Sequence, residues 1–83
     1  MCIIAASPNK ASRITKEIFK NMWNNNPDGG GIMYAEDGVL HIEKELKSWK
    51  RLYRKYVDVH DRGLSNVLHF RIGTSGSKTE YNI

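Results

Sequence analysis

Apolar and polar positions alternate along this chain with two periods, one typical of strands and one typical of helices. An apolar run at residues 2–6, ended by Ser7-Pro8-Asn9, predicts a buried strand followed by a turn. Two further apolar runs, residues 32–35 and 39–42, flank Glu36-Asp37-Gly38, which predicts a hairpin with Asp37-Gly38 at its tip. A fourth strand is predicted at residues 67–72.

Helical spacing separates these predicted strands. The first helix is expected from Ser12, its predicted N-cap, to Trp23, with the Asn-Asn-Asn-Pro cluster at 24–27 as its stop. The second is expected over residues 44–59, with these residues on one side: Leu46, Trp49, Tyr53, Tyr56 and Val57. The order β-α-β-β-α-β predicts an α+β fold, in which a mainly antiparallel sheet carries both helices on one face.

An 83-residue chain has room for one small domain, and a single layer of helices leaves the other face of the sheet exposed and apolar. Such a surface promotes association, so we expect a homo-oligomer or a partner protein that covers it. The single cysteine excludes an intramolecular disulfide framework and favours a reducing, cytoplasmic location. The first apolar run is too short to span a bilayer or to form the core of a signal peptide, so no membrane association is expected.

The net charge of +4 fits an anionic partner without the dense clustering of a dedicated nucleic-acid binder. Five cations nevertheless lie within nine residues: Lys47, Lys50, Arg51, Arg54 and Lys55. This basic, aromatic helix could contact nucleic acid or an acidic protein surface, or it could be a solvated face opposite a packed one. Because its aromatic residues are assigned to the core, we expect at most weak, salt-sensitive binding to phosphates and no specific nucleic-acid partner.

Cys2 is the first candidate for chemistry. If an aminopeptidase removes Met1, Cys2 carries a thiol and an α-amine whose pKa values lie close together, at about 8.5 and about 8. The amine can then take the thiol proton, and the thiolate becomes a nucleophile without a separate histidine. The alternative is that Cys2 is a small buried hydrophobic residue without reactivity.

Two glycine-containing segments are the other candidates. Asn26-Pro27-Asp28-Gly29-Gly30-Gly31 could let the backbone approach a ligand, or could be a loop that leads into a strand. In His69-Phe70-Arg71-Ile72-Gly73-Thr74-Ser75-Gly76, Arg71 and Thr74 suit a carboxylate ligand, although an exposed strand arginine and a polar turn have the same pattern. The remaining histidines, His41 and His60, have no Cys, Asp or Glu at a spacing that would complete a set of metal ligands, so no metal site is predicted.

Taken in order, Met1-Cys2 with its apolar strand, the Asn26–Gly31 segment and the His69–Gly76 segment with Asn82 beyond resemble the class II glutamine amidotransferase domain, an N-terminal-nucleophile hydrolase. The middle segment is closest to stand-alone members with a Pro-Asp-Gly-x-Gly motif, and such proteins also occur in tailed phages. The resemblance implies that Cys2 attacks the side-chain amide of glutamine, releasing ammonia and leaving a thioester. It also implies that Arg71 binds the glutamine α-carboxylate, that Thr74 lines the same pocket, and that Asp28 and Gly29 shape its floor. No cofactor is implied.

The resemblance covers nearly all of residues 1–83 but only the front part of the family domain, so we expect either a single small domain or a truncated, partial N-terminal-nucleophile hydrolase fold. Cys2-Ile3 departs from the commoner Cys-Gly start, and Ser75 stands where the family often has His. The family's oxyanion-hole Asn-Gly has no counterpart in the sequence, and loss of one oxyanion donor costs about 10² to 10³ in rate. Two hypotheses therefore stay open: a glutamine amidohydrolase-like domain, or a small non-enzymatic protein that binds a partner through its basic helix.

Overall fold

The computed structural model describes residues 3–8 and 12–71. It contains six elements: β1 Ile3–Ser7, α1 Lys16–Asn25, β2 Gly30–Glu36, β3 Val39–Glu45, α2 Trp49–Asp61 and β4 Asn66–Phe70. The predicted α+β class and the order β-α-β-β-α-β are confirmed.

The four strands form one sheet in the order β1-β4-β2-β3, and every neighbouring pair is antiparallel. The first strand therefore pairs with the last, while β2 and β3 form the predicted hairpin. At its tip, Asp37 and Gly38 both have positive φ, 53° and 75°. Two consecutive positive φ values suit the right-handed twist of the flanking strands, which explains why Asp-Gly marks this turn in the sequence.

The first helix begins later than the sequence predicted. The N-cap is Thr15, not Ser12: the Ile18 N–H donates to Thr15 Oγ1 at 3.3 Å, and Lys16 is the first helical residue. At the other end, the backbone N–H of Asn26 donates to the Trp23 carbonyl at 3.0 Å, so the Asn cluster does end the helix. Both candidates for the N-cap carry a hydroxyl group, and local sequence alone does not separate them.

The second helix also begins later than predicted, because β3 continues to Glu45 instead of ending at Ile42. Ser48 is the N-cap and accepts a hydrogen bond from the Arg51 N–H at 3.4 Å. The Glu45 carboxylate accepts from the backbone N–H groups of Lys47 and Ser48 at 2.9 and 3.1 Å. These bonds hold the short connection between β3 and α2, and Leu46 lies outside the helix instead of on its apolar side.

The core lies between the sheet and both helices, which pack on one face as predicted. It consists of Phe19, Trp23, Ile32, Tyr34, Leu52, Tyr56, Val59, Leu68 and Phe70. The buried stripe of α2 is Leu52, Tyr56 and Val59, so the helix is rotated from the expected arrangement. Trp49, Tyr53 and Val57 are only partly buried at the side of this stripe.

The other face of the sheet is apolar and uncovered by any described residue. Strand alternation places these side chains on it: Ile4, Ala6, Met33, Ala35, Leu40, Ile42 and Val67. Ile4 is 71% exposed, and Leu40 and Ile42 are exposed to a similar degree. The predicted open, apolar sheet face is therefore present.

Side chains of both helices approach the sheet closely at Gly30. A Cβ at this position would lie 2.9 Å from Leu52 Cδ2 and 3.0 Å from the His69 carbonyl oxygen. We expect Gly30→Ala to lower the free energy of unfolding by about 1–3 kcal/mol, because the added methyl group meets backbone on one side and core on the other. Urea denaturation measures this loss. Gly38→Asn is the control, since Asn tolerates positive φ and nothing lies within 4 Å of that site; equal losses in both variants would contradict the packing argument.

The open sheet face generates a prediction about association. Ile42 and Val39 lie on the same strand with similar exposures of 58% and 55%, but on opposite faces of the sheet. If copies associate through the open face, wild-type protein gives a dimer or larger mass by light scattering at high micromolar concentration. Ile42→Glu then shifts the mass to the monomer, whereas Val39→Glu leaves it unchanged. A monomeric wild type, or equal effects of the two variants, would contradict this prediction.

Candidate functional site

The sheet register brings the described part of each of the three sequence motifs to one end of the sheet. Phe70 in the last strand pairs with Ile3 on one side and with Gly30 on the other. Ile3 directly follows Cys2 in the sequence, Gly30 directly follows Asp28-Gly29, and Phe70 directly precedes Arg71. Segments that lie far apart in the chain therefore become neighbours at the end of one central strand.

Backbone hydrogen bonds connect two of these motifs directly. The Asp28 N–H donates to the Arg71 carbonyl oxygen at 2.9 Å, and the Arg71 N–H donates to the Gly29 carbonyl oxygen at 2.8 Å. Gly29 has a φ of 114°, a conformation that residues with a Cβ adopt only at a cost. Gly29 therefore adopts the positive-φ backbone that a glycine in this segment allows. In this conformation the backbone of Asp28 and Gly29 lies beside that of Arg71.

Arg71 is 6% exposed and is the one buried charged residue among those the structure describes. A guanidinium group loses favourable hydration when it is buried, so it is retained in such a place only where polar or anionic groups surround it. The alternative considered for Arg71, an exposed strand arginine, is wrong. A buried guanidinium at the end of a strand suits recognition of a carboxylate.

Two of the predicted site residues, Cys2 and Thr74, lie outside the described residues. Of the others, the structure brings Asp28, Gly29 and Arg71 together. His69 shares the open sheet face with Ile4 and Gly31, its partners in the neighbouring strands, and is partly exposed.

The other histidines lie among aromatic rings. The His41 ring stacks on Tyr34 with ring centroids 4.9 Å apart and planes inclined by 15°. The His60 ring lies 5.8 Å from the Tyr56 ring, and its Nδ1 is 3.5 Å from an Asp61 carboxylate oxygen. Within residues 3–8 and 12–71, no three His, Cys, Asp or Glu side chains form a cluster that could hold a metal ion.

An apolar depression of about 450 Å³ lies on the open sheet face, between Ala6, Met33, Leu40 and Val67. These residues belong to the end of the sheet where Ser7, Asn66 and Tyr34 are paired. The depression is therefore at the opposite end from Arg71, and it does not coincide with the convergence of the three motifs.

The basic residues predicted as one cluster are divided between two surfaces. Lys55 lies toward β3: its Nζ is 3.1 Å from a Glu43 carboxylate oxygen and 5.1 Å from the centre of the Tyr34 ring. Hydrogen bonds to the Tyr34 and Glu43 side chains raise the pKa of Lys55 above its usual value. Arg51 lines a depression on the same side, together with Glu43 and Glu45. These carboxylates reduce the positive potential of that surface.

Lys50 and Arg54 face the other way, into a groove between α1 and α2. There they meet two lysines of α1, Lys16 and Lys20, which the sequence analysis did not connect with the basic helix. The four-residue spacing within each pair places both members on one side of a helix. It does not show that the two pairs face each other, which results from the packing of α1 beside α2.

No family model, curated protein or solved structure matches this chain significantly. The assignment of a biochemical role therefore depends on the arrangement of the residues. Neither helix within the described part of the chain has both the length and the apolar character needed to cross a bilayer.

Proposed function

We propose that this protein is a glutamine amidohydrolase-like domain that uses Cys2 as its nucleophile. The observation that carries the proposal is the convergence at the end of β4. The residue after Cys2 pairs with the residue before Arg71, and the Arg71 backbone is hydrogen-bonded to Asp28 and Gly29. The N-terminal-nucleophile fold and the class II amidotransferase family are part of the same proposal.

The chemistry requires removal of Met1, which makes the Cys2 nitrogen a free α-amine. This amine accepts the proton of the Cys2 thiol, and the thiolate sulfur attacks the carbonyl carbon of a side-chain amide. The C–N bond then breaks, and the departing nitrogen takes up the proton and leaves as ammonia. Water hydrolyses the resulting thioester, which returns the thiol and releases a carboxylic acid.

Arg71 has the role of a substrate-binding residue in this proposal. Its planar guanidinium can form two parallel hydrogen bonds to the α-carboxylate of glutamine, and Thr74 can bind one of the same oxygens. Asp28 and Gly29 shape the floor of the site through their backbone bonds to Arg71. Glutamine or a related amide with a free carboxylate is therefore the proposed substrate.

Covalent labelling tests this proposal more directly than turnover, because it needs only the nucleophile and the carboxylate-binding group. The probe is a glutamine analogue with an electrophilic diazoketone in place of its side-chain amide. We expect Cys2 to be labelled only in protein whose intact mass shows that Met1 is absent. Arg71→Lys should slow labelling about tenfold or more, because a hydrogen bond to a charged group is worth about 1.5–3 kcal/mol.

Two controls separate recognition from folding. Iodoacetamide has no carboxylate, so its rate with Cys2 should be the same in the wild type and in Arg71→Lys. Lys50→Ala, which removes a cation from the groove between the helices, should leave the rate of the glutamine analogue unchanged. Equal rates of the glutamine analogue with the wild type and Arg71→Lys, or labelling of protein that retains Met1, would refute the proposal.

A further inference from the structure

The groove between α1 and α2 has a regular arrangement of charge and aromatic surface. It consists of two adjoining depressions of about 370 and 480 Å³. Six of its seven lining residues form three pairs, each pair four positions apart: Lys16 and Lys20, Trp49 and Tyr53, and Lys50 and Arg54. Four residues correspond to about 6 Å along a helix axis, so the two members of each pair lie one turn apart.

The aromatic pair lies between the two cationic pairs. Trp49 and Tyr53 are half-buried, and their ring centroids are 6.5 Å apart. Tyr56 is fully buried in the core, whereas Trp49 and Tyr53 pack against the core and are only partly buried. The expectation that all three aromatic residues belong to the core is therefore met in full only by Tyr56. The other two present part of their rings to the groove.

The charge of the groove is strongly positive. Four cations line it, and the one carboxylate among its lining residues is Glu17. The helix dipole adds to this charge, because α2 begins at Trp49 and the N-terminus of a helix carries a partial positive charge. No acidic residue in the first turn of α2 offsets it. Lys20 Nζ lies 5.9 Å from the centre of the Trp49 ring, so α1 places one of these cations over the ring.

We propose that this groove binds single-stranded nucleic acid. Phosphates would contact the cationic rows on either side, whose members are separated by one helical turn, and a base would stack on Trp49. Lys20 would leave the ring for a phosphate, since its long side chain is flexible. An aromatic floor between two rows of cations is the combination that binds single strands with little sequence preference.

An acidic protein segment is the competing ligand, because it would also be attracted by four cations. The aromatic floor favours the nucleic acid, because each base presents an aromatic face that can stack on Trp49, whereas Glu and Asp side chains carry no aromatic ring. This site is separate from the end of β4, so the proposal does not depend on the chemistry of Cys2.

Fluorescence anisotropy with a labelled twelve-residue oligothymidylate tests the proposal. The matched probe is an abasic twelve-residue strand, which keeps the phosphates and lacks the bases. We expect the oligothymidylate to bind about tenfold or more tightly than the abasic strand, and Trp49→Leu to remove most of that difference. Equal affinities for the two strands in the wild type would overturn the proposal.

A second pair of variants keeps the test valid if Trp49→Leu disturbs folding. Lys20→Gln with Arg54→Gln removes one cation from each row. We expect it to weaken binding and to reduce the slope of log K against log salt by about 1.4, which corresponds to two phosphate contacts. Lys47→Gln with Arg51→Gln removes the same charge outside the groove and should leave the slope nearly unchanged. Equal slopes in the two double variants, or competition by poly-glutamate as effective as by unlabelled oligothymidylate, would overturn the proposal.

Discussion

The Phe19 ring joins every layer of this small domain. It is fully buried, and its centroid lies 5.0 Å from that of Tyr53, 5.7 Å from that of Tyr56 and 5.1 Å from that of Phe70. Two of these contacts are to α2 and one is to the central strand β4, so this one side chain of α1 connects both helices with the sheet. The contacts with Tyr53 and Phe70 are edge-to-face, and aromatic pairs of this geometry are worth about 0.5–1.5 kcal/mol each beyond the burial of apolar area.

The two proposed sites depend on different parts of this arrangement. The end of β4 is defined by sheet register and by the backbone bonds of Arg71 to Asp28 and Gly29. The groove depends on how α1 and α2 lie beside each other, which is fixed by Phe19 and by the hydrogen bond from the Ile14 N–H to Tyr56 Oη at 2.7 Å. Because the residues of the two sites do not overlap, a substitution in one can be interpreted without reference to the other.

Much of the fold could be predicted from the sequence, since strand runs, helical spacing and the Asp37-Gly38 turn are local signals. The boundaries that were wrong depend on contacts between distant residues. Glu43-Lys44-Glu45 contains good helix formers, but these residues pair with β2 and become strand. Likewise, Ser12 and Thr15 are similar N-cap candidates, and only Thr15 stands at the start of the helix that places Phe19 in the core.

The residues of the candidate site could be predicted from the sequence, but their arrangement in space could not. Sequence order gives Asp28 and Arg71 as members of separate motifs, whereas the antiparallel register makes their backbones neighbours. The burial of Arg71 could not be predicted from the sequence. Strand alternation assigns a residue to one face of the sheet, but it does not say whether other parts of the chain cover that face at that position. For the groove, the lysines of α1 and Trp49 are distant in sequence, and only the packing of the helices brings them together.

The pairing of β1 with β4 also has a consequence for how the chain folds during synthesis. Ile3 pairs with Phe70, so this contact closes a loop that contains almost all of the other described residues. Pairings of such long sequence separation form late, because the entropy of loop closure opposes them until other contacts exist. On the ribosome, β1 must wait until β4 has emerged, whereas the β2–β3 hairpin can form earlier. Strand β1 therefore stays without its native partner until the chain has been synthesised through Phe70.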